Sequence, residues 1–216
     1  AIVIDFDSKE VLFEVNADTR NYPASLTKIM TLYIVFDYLE KGIFKENTLL
    51  SVSKTAASRS PSKLYLEAGT KISVKDSILA LIVKSANDVA TVVAENISGT
   101  EREFAKLMTR YAKNLGMNQT NFKNASGLPN RGQMTTARDI ATLSHALIKN
   151  FPNKYKLFNL KEFVWKGKKY KTHNKLMLSY NGADGIKTGY IKASGFQLAF
   201  SAKRNNKRLI GVYFGG

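Results

Sequence analysis

A serine hydroxyl becomes a nucleophile only beside a group that takes its proton and near donors aimed at the oxyanion that forms. Ser-x-x-Lys is one arrangement that supplies the proton acceptor. The pattern occurs here three times, at Ser25 to Lys28, Ser51 to Lys54 and Ser60 to Lys63, so spacing alone does not choose among them. Context does. Ser25 follows Asn21-Tyr22-Pro23-Ala24 and opens a run whose apolar residues, Ile29, Met30, Leu32, Tyr33, Ile34, Val35 and Phe36, cover nearly every side of a helix from about Leu26 to Leu39. A helix apolar all round belongs in a core. Lys28 then lies one turn beyond Ser25 on the same face. Burial and the positive end of the helix dipole both disfavour its charged form, leaving an amine able to accept the Ser25 proton. Ser51 and Ser60 sit in a Ser-, Lys- and Arg-rich segment with no apolar run behind it, which reads as a solvated loop or linking turn.

Two further clusters bear chemistry. Ser85-Ala86-Asn87 interrupts an apolar helical stretch, and a hydroxyl and an amide between hydrophobic flanks need partners or a cleft to face. Lys187-Thr188-Gly189 occurs once: Lys187 and Thr188 suit a carboxylate, and Gly189 lets a ligand backbone approach closely. On bland readings the first is a helix break and the second a basic strand edge. Ser179-Tyr180-Asn181, a second Ser-x-Asn, falls in a turn-like stretch and reads as incidental. His145 and His173 have no carboxylate partner visible for a Ser-His-Asp arrangement and read as structural. No His-x-x-x-His or Glu-x-x-His spacing and no cysteine is present, so no metal site, thiolate nucleophile or cofactor is expected.

These residues must be held by a scaffold, and the pattern predicts an α+β one. Ile2 to Phe6 and Val11 to Val15 read as a hairpin; Phe196 to Ala202 and Arg208 to Phe214, flanking Asn205-Asn206, read as another. Between them fall helices: one N-capped by Asp76, one opened by the Thr100/Glu103 capping box, and one over Thr136 to Ile148 closed by Pro152. The expected chain is a single catalytic domain, residues 1–216, with a sheet lobe from both termini, about 1–24 and 155–216, and a helical lobe over about 25–150. The excess of 33 basic over 17 acidic residues gives a net charge of +16, which favours polyanions without naming one, because the charges are scattered. The longest apolar stretches fall well short of the roughly 20 residues that span a bilayer. The opening Ala1-Ile2-Val3, with no Met or basic apolar leader, predicts an export segment already removed.

Taken in order, Ser25-x-x-Lys28, Ser85-x-Asn87 60 residues on and Lys187-Thr188-Gly189 a further 102 residues on resemble the three motifs of the penicillin-recognising serine enzymes. The likeness is closest to the low-molecular-mass penicillin-binding proteins that are serine-type D-alanyl-D-alanine carboxypeptidases. It extends to Pro23 to Thr31, Lys84 to Ala90, Asn124-Ala125-Ser126-Gly127-Leu128-Pro129 and Asp184 to Tyr190. The resemblance implies an antiparallel sheet flanked by helices with an all-helical lobe, the penicillin-binding protein/β-lactamase-like transpeptidase fold. It implies that Ser25 attacks the penultimate D-Ala carbonyl of a peptidoglycan stem peptide ending in D-Ala-D-Ala, with Lys28 as base and Ser85 as proton relay. Asn87 orients the substrate amide, Lys187 and Thr188 the terminal carboxylate, Gly189 belongs to the substrate-binding set with Tyr190, and the N–H groups of Ser25 and Tyr190 form the oxyanion hole. β-Lactam antibiotics would acylate the same serine, and nucleic acid is not a partner. The family likeness also implies a periplasmic or extracytoplasmic location, a later C-terminal domain and an amphipathic anchor to the inner membrane, and leaves any carboxylate-binding Arg unassigned. An endopeptidase cutting D-alanyl crosslinks is the alternative; a non-catalytic wall-binding protein is less favoured. A class A β-lactamase is disfavoured because no Glu has Asn four positions on. Ile191 stands where relatives often carry a hydroxyl, placing more of the carboxylate recognition on Lys187 and Thr188.

Overall fold

The structure, a computed structural model, describes residues 1–215. Short β-rich runs at both ends of the chain combine into one antiparallel sheet. β1 (Ile2–Asp5) and β2 (Val11–Glu14) form the first hairpin, while β7 (Ala183–Ile191), β8 (Gly195–Arg204) and β9 (Lys207–Phe214) form a meander, giving the order β2-β1-β9-β8-β7. The ends meet through β1 and β9, where Ile2 faces Val212 and Ile4 faces Ile210. These four residues are buried on one face, as the period of two requires. Asn205 and Asn206, with φ of 47° and 61°, supply the left-handed pair that matches a two-residue hairpin turn to strand twist. The expected α+β antiparallel architecture is therefore present.

The middle of the chain is helical. α1 (Thr27–Glu40) has its first ten residues buried, and Phe36 meets Phe151 and Phe158 edge-to-face at ring distances of 5.7 and 6.3 Å. β3 (Leu49–Ser51), α2 (Lys54–Ala57) and β4 (Lys71–Ser73) lead into α3 (Val74–Leu79), which continues through a π-helical turn over Ala80–Lys84 and breaks before α4 (Asn87–Ser98). α5 (Glu101–Asn114) packs on α4, and α6 (Ala137–Asn150) packs on β1, β8 and β9. α7 (Pro152–Tyr155), the hairpin of β5 (Glu162–Trp165) and β6 (Lys168–Lys171), and α8 (Lys175–Ser179) return the chain to β7. No helix among the described residues is long and apolar enough to cross a membrane.

Three local expectations are corrected. The cap of α3 is Ser73, not Asp76: the Ser73 hydroxyl accepts the Asp76 N–H at 3.0 Å and donates to its carboxylate at 2.6 Å, so the acid belongs to the first turn. Pro152 occupies the first position of α7, where a missing N–H costs nothing, and the break after α6 falls at Phe151, with φ −130° and ψ 53°. The segment after Ser51 is not a solvated loop throughout. Ser53 caps α2, Val52 and Ala56 are buried, and Arg59 donates from Nε to Thr91 Oγ1 at 3.0 Å. Polar residues there are satisfied by the helical lobe, which composition alone does not reveal.

β7 is tied to the sheet by a bidentate ion pair. Arg208 of β9 reaches across β8 to the two Asp184 oxygens at 2.8 and 2.6 Å, and the Tyr155 hydroxyl donates to Asp184 at 3.1 Å. Replacement of Arg208 by Met removes one partner of a largely buried pair. It is expected to lower the unfolding free energy by about 2–3 kcal/mol, seen as a lower urea midpoint at unchanged slope.

Candidate active site

Ser25 is aimed by backbone geometry. Pro23 leads into Ala24, whose φ of 42° is left-handed, and a 3-10 turn over Ala24–Leu26 then feeds α1. For alanine such a conformation costs about 1–2 kcal/mol and persists only where neighbours enforce it. Gly127 is that neighbour: a Cβ built on it would stand 1.7 Å from the Ala24 carbonyl oxygen, so only glycine fits. As a first-turn residue, Ser25 presents a backbone N–H outside the helical ladder. The β7 strand passes beside it, with a Cβ built on Gly189 falling 3.2 Å from Ser25 N.

Lys28 is completely buried, with 0% exposure. Its Nζ lies 2.6 Å from the Ser126 carbonyl oxygen, 2.7 Å from Asn87 Oδ1 and 3.1 Å from Ser25 Oγ. Burial holds its pKa well below the usual lysine range, the Lys187 cation adds to that effect, and the Asp88 and Glu101 carboxylates oppose it. A neutral amine has two N–H bonds and one lone pair. Ser126 O and Asn87 Oδ1 accept the two hydrogens because neither can donate, which turns the lone pair to the Ser25 hydroxyl. The Asn87 amide is fixed in turn by donation from Nδ2 to Ser60 O at 2.9 Å.

Ser85 and Asn87 reach the cleft because the helix breaks between them. Ser85 adopts φ 58°, ψ 40°, Ala86 is extended, and Asn87 begins α4. The Ser85 hydroxyl is buried with no hydrogen-bond partner among the described residues, a costly state unless something else is to be bound there. Lys187 is also buried, at 3% exposure, and donates to the Thr188 carbonyl at 2.9 Å. No carboxylate lies within ion-pair distance of it among the described residues, and burial lowers its pKa to about 7. An anion arriving beside Lys187 would restore its charge.

One cleft of about 830 Å³ is lined by Ser25, Ser85, Asn87, Thr188, Gly189 and Tyr190. The structure thus brings Ser25, Ser85, Asn87, Thr188, Gly189 and Tyr190 to the cleft, with the buried Lys28 amine against Ser25 and Asn87, while Lys187 lines a small separate cavity that shares His173 and Thr188 with it. Other parts went unassigned in the sequence. The Ser126 carbonyl is a backbone group with no residue signature, although its segment carries the family resemblance. Gln197 also lines the cleft, donating to Tyr22 O and Ser194 Oγ, both at 2.6 Å. Ser62, from the misread polar segment, lines it too, as does His173, whose pKa is lowered by burial and then by Lys187, Lys84 and Lys28. His145 lies elsewhere, its ring nitrogen 3.1 Å from the Phe6 carbonyl. Among the described residues no group of three or more His, Cys, Asp or Glu is placed to hold a metal ion.

The fit of Gly127 against Ala24 sets a contrast with Gly116, whose φ of 86° is equally left-handed but whose Cβ would meet open space. Gly116→Ala is expected to cost about 1–2 kcal/mol. Gly127→Ala is expected to cost about 2–4 kcal/mol, since overpacking against backbone is added; denaturation of the two variants side by side measures the difference.

A family model described as D-alanyl-D-alanine carboxypeptidase matches residues 1–216. Over 220 residues the chain is 38% identical to the D-alanyl-D-alanine carboxypeptidase DacF of Bacillus subtilis (strain 168), covering 100% of this chain and 56% of that protein. The crystal structure of the D-alanyl-D-alanine carboxypeptidase DacD from Francisella tularensis superposes with a TM-score of 0.97 at 33% identity, over 100% of this chain and 65% of that one. Penicillin-Binding Protein D2 from Listeria monocytogenes, in its ampicillin-bound form, gives 0.89 at 31% identity, over 99% and 88%. The chain spans little more than half the length of the curated relatives it matches. With a matching family model along its whole length and this cleft at its centre, the chain belongs to the D-alanyl-D-alanine carboxypeptidase family.

Proposed function

We propose that the chain is the catalytic part of a serine D,D-carboxypeptidase that removes the terminal D-Ala of peptidoglycan stem peptides, outside the cytoplasm, and is acylated by β-lactams. The observation that carries this reading is the contact of Ser25 Oγ with the buried Lys28 amine, 3.1 Å away, together with a second buried lysine, Lys187, that has no ion-pair partner among the described residues. A peptide ending in a carboxylate suits a site with one neutral lysine and one cationic lysine.

In the proposed reaction the substrate lies along the edge of β7, its terminal carboxylate received by Lys187 and Thr188. Lys28 takes the Ser25 proton as Oγ adds to the penultimate D-Ala carbonyl, a step for which a positioned base is worth roughly a hundredfold to ten-thousandfold. The oxyanion is held by the N–H groups of Ser25 and Tyr190, which gain strength where water is excluded. The tetrahedral adduct expels D-Ala as its nitrogen gains a proton through the Ser85 hydroxyl. Water then adds to the Ser25 ester as its proton passes to Lys28, and Lys28 returns that proton to Ser25 Oγ as the ester bond breaks, releasing the shortened peptide and the starting enzyme. Asn87 enters the scheme as an anchor for the Lys28 amine as well as a lining group for the substrate amide.

Penicillin mimics the D-Ala-D-Ala terminus. Incubation with benzylpenicillin is therefore expected to add one intact drug mass to the chain, mapped to the Ser25 peptide by mass spectrometry. An adduct persisting in Ser25→Ala would overturn the reading. A pH dependence follows as well. The reaction needs Lys28 unprotonated and Lys187 protonated, so kcat/KM for a carboxylate-ended peptide should rise with pH on the acid side and fall as pH passes about 7, where free Lys187 loses its proton. A C-terminally amidated peptide should lack the alkaline fall, which a steady-state pH profile of the two peptides checks.

A further inference from the structure

Glu101 opens α5 at the position after its cap, Thr100, where a carboxylate is favoured by the helix dipole. Its side chain does not line the cleft, yet it is largely buried, at 12% exposure. One oxygen accepts the Ala125 backbone N–H at 3.0 Å and the Thr91 hydroxyl at 3.3 Å. The other is paired with the Arg59 guanidinium, whose Nε also donates to Thr91 Oγ1. Three separate stretches, the segment after α2, α4 and α5, therefore converge on one carboxylate. That carboxylate holds one backbone amide. Ala125 precedes Ser126, whose carbonyl receives a Lys28 N–H at 2.6 Å. From the other side, Thr31 of α1, three residues beyond Lys28, donates to the Ala125 carbonyl at 2.8 Å.

We infer that Glu101 is a positioning residue: tethered by Arg59 and Thr91, it holds the Ala125 amide so that the Ser126 carbonyl is seated on the Lys28 amine and the amine lone pair stays on Ser25. Without that grip the loop keeps its tethers from Thr31 to the Ala125 carbonyl and from the Ser126 and Gly127 N–H groups to Asn124 Oδ1, but the Ala125 peptide loses its anchor in the helical lobe, and the Ser126 carbonyl that orients Lys28 is held less firmly. The effect falls on the chemical step and leaves substrate binding alone, because Glu101 is outside the cleft. Glu101 has a second, electrostatic influence. The charged groups acting on Lys28 are Lys187 from β7, Asp88 from α4 and Glu101 from α5, the first disfavouring and the last two favouring the ammonium form. Removing the Glu101 charge makes Lys28 easier to deprotonate.

The kinetic part of this inference rests on the Ser25 acylation proposed above, and the test separates the two. Acylation by a fluorescent penicillin is followed as a function of drug concentration and pH, giving a binding constant and a first-order rate, for wild type, Glu101→Ala, Glu101→Gln and the exposed neighbour Glu103→Gln. Glu101→Ala is expected to lose roughly tenfold to a hundredfold in the first-order rate, as for a misplaced catalytic group, with the binding constant unchanged. Glu101→Gln keeps an acceptor for Ala125 and is expected to restore most of that rate. In both Glu101 variants the acid limb of the rate moves to lower pH, and Glu103→Gln behaves as wild type. Amide hydrogen exchange at Ala125 is expected to accelerate in Glu101→Ala and not in Glu101→Gln. A wild-type rate with unaltered Ala125 exchange in Glu101→Ala would overturn the inference. So would equal losses in Ala and Gln variants with an unmoved acid limb, which describe a fold defect. Should Glu101→Ala not fold, the pH limb and Ala125 exchange of Glu101→Gln decide. If wild type takes up no penicillin, the acylation reading fails, and Ala125 exchange still decides whether Glu101 holds the loop.

Discussion

The structure is organised around an amine that water cannot reach. Moving an ammonium ion out of water without a paired anion is so unfavourable that the group gives up its proton instead. Lys28 is in that position because α1 is apolar on every side and carries its one early lysine into the core. Once neutral, the amine has a directed lone pair, and its direction depends on which groups take the two N–H bonds. Here they are Asn87 Oδ1 and Ser126 O. The helix break at Ser85 to Asn87 and the loop over Asn124 to Gly127 serve the same atom from opposite sides. The Gly127 backbone also lies against Ala24, holding the left-handed residue that aims Ser25. On the proposed reading, nucleophile, base and base-orienting groups thus share one packing arrangement.

A second buried lysine stands near the first, and their environments push them apart. Lys28 meets acceptors that suit a neutral amine, whereas Lys187 borders a small cavity next to the cleft, donates to the Thr188 carbonyl and has no carboxylate within ion-pair distance among the described residues. The Lys187 cation disfavours a charge on Lys28, and burial disfavours the charge of Lys187 itself, so an incoming anion beside Lys187 favours the pair of states neutral Lys28 and cationic Lys187. On the proposed reading the substrate carboxylate is that anion, and binding sets the protonation pattern the chemistry needs.

Much of this was legible in the sequence, for physical reasons that differ by residue. Ser25 and Lys28 lie within one helical turn, and the apolar run behind them distinguishes their pair from the two other Ser-x-x-Lys copies. The hairpins were legible because strand alternation and an Asn-Asn turn are local signals. Bringing Ser85, Asn87 and Lys187 together required long-range order, which the resemblance supplied and periodicity did not. What stayed hidden was of two kinds. The Ser126 carbonyl is a backbone group that any residue type can supply, and Gly127 is required by a backbone, Ala24, that is distant in sequence, so neither is visible in a local pattern. Arg59, Ser60 and Ser62 looked like solvated polar residues because their partners, Thr91, Glu101, Asn87 and the Lys84 carbonyl, are distant in sequence. The caps moved by three residues at α3 because Ser and Asp three apart satisfy each other, and only geometry says which is the cap.

The central claim is that Lys28 is a neutral amine in the resting protein, and direct titration of its side chain tests that most simply. Lysine Cε and Nζ resonances, assigned by loss in Lys28→Met, should follow a titration well below the usual lysine range, with the lone-pair form dominant near neutral pH. A resonance that stays ammonium-like up to the ordinary lysine pKa of about 10.4 would contradict the account, since a protonated Lys28 cannot accept the Ser25 hydroxyl proton.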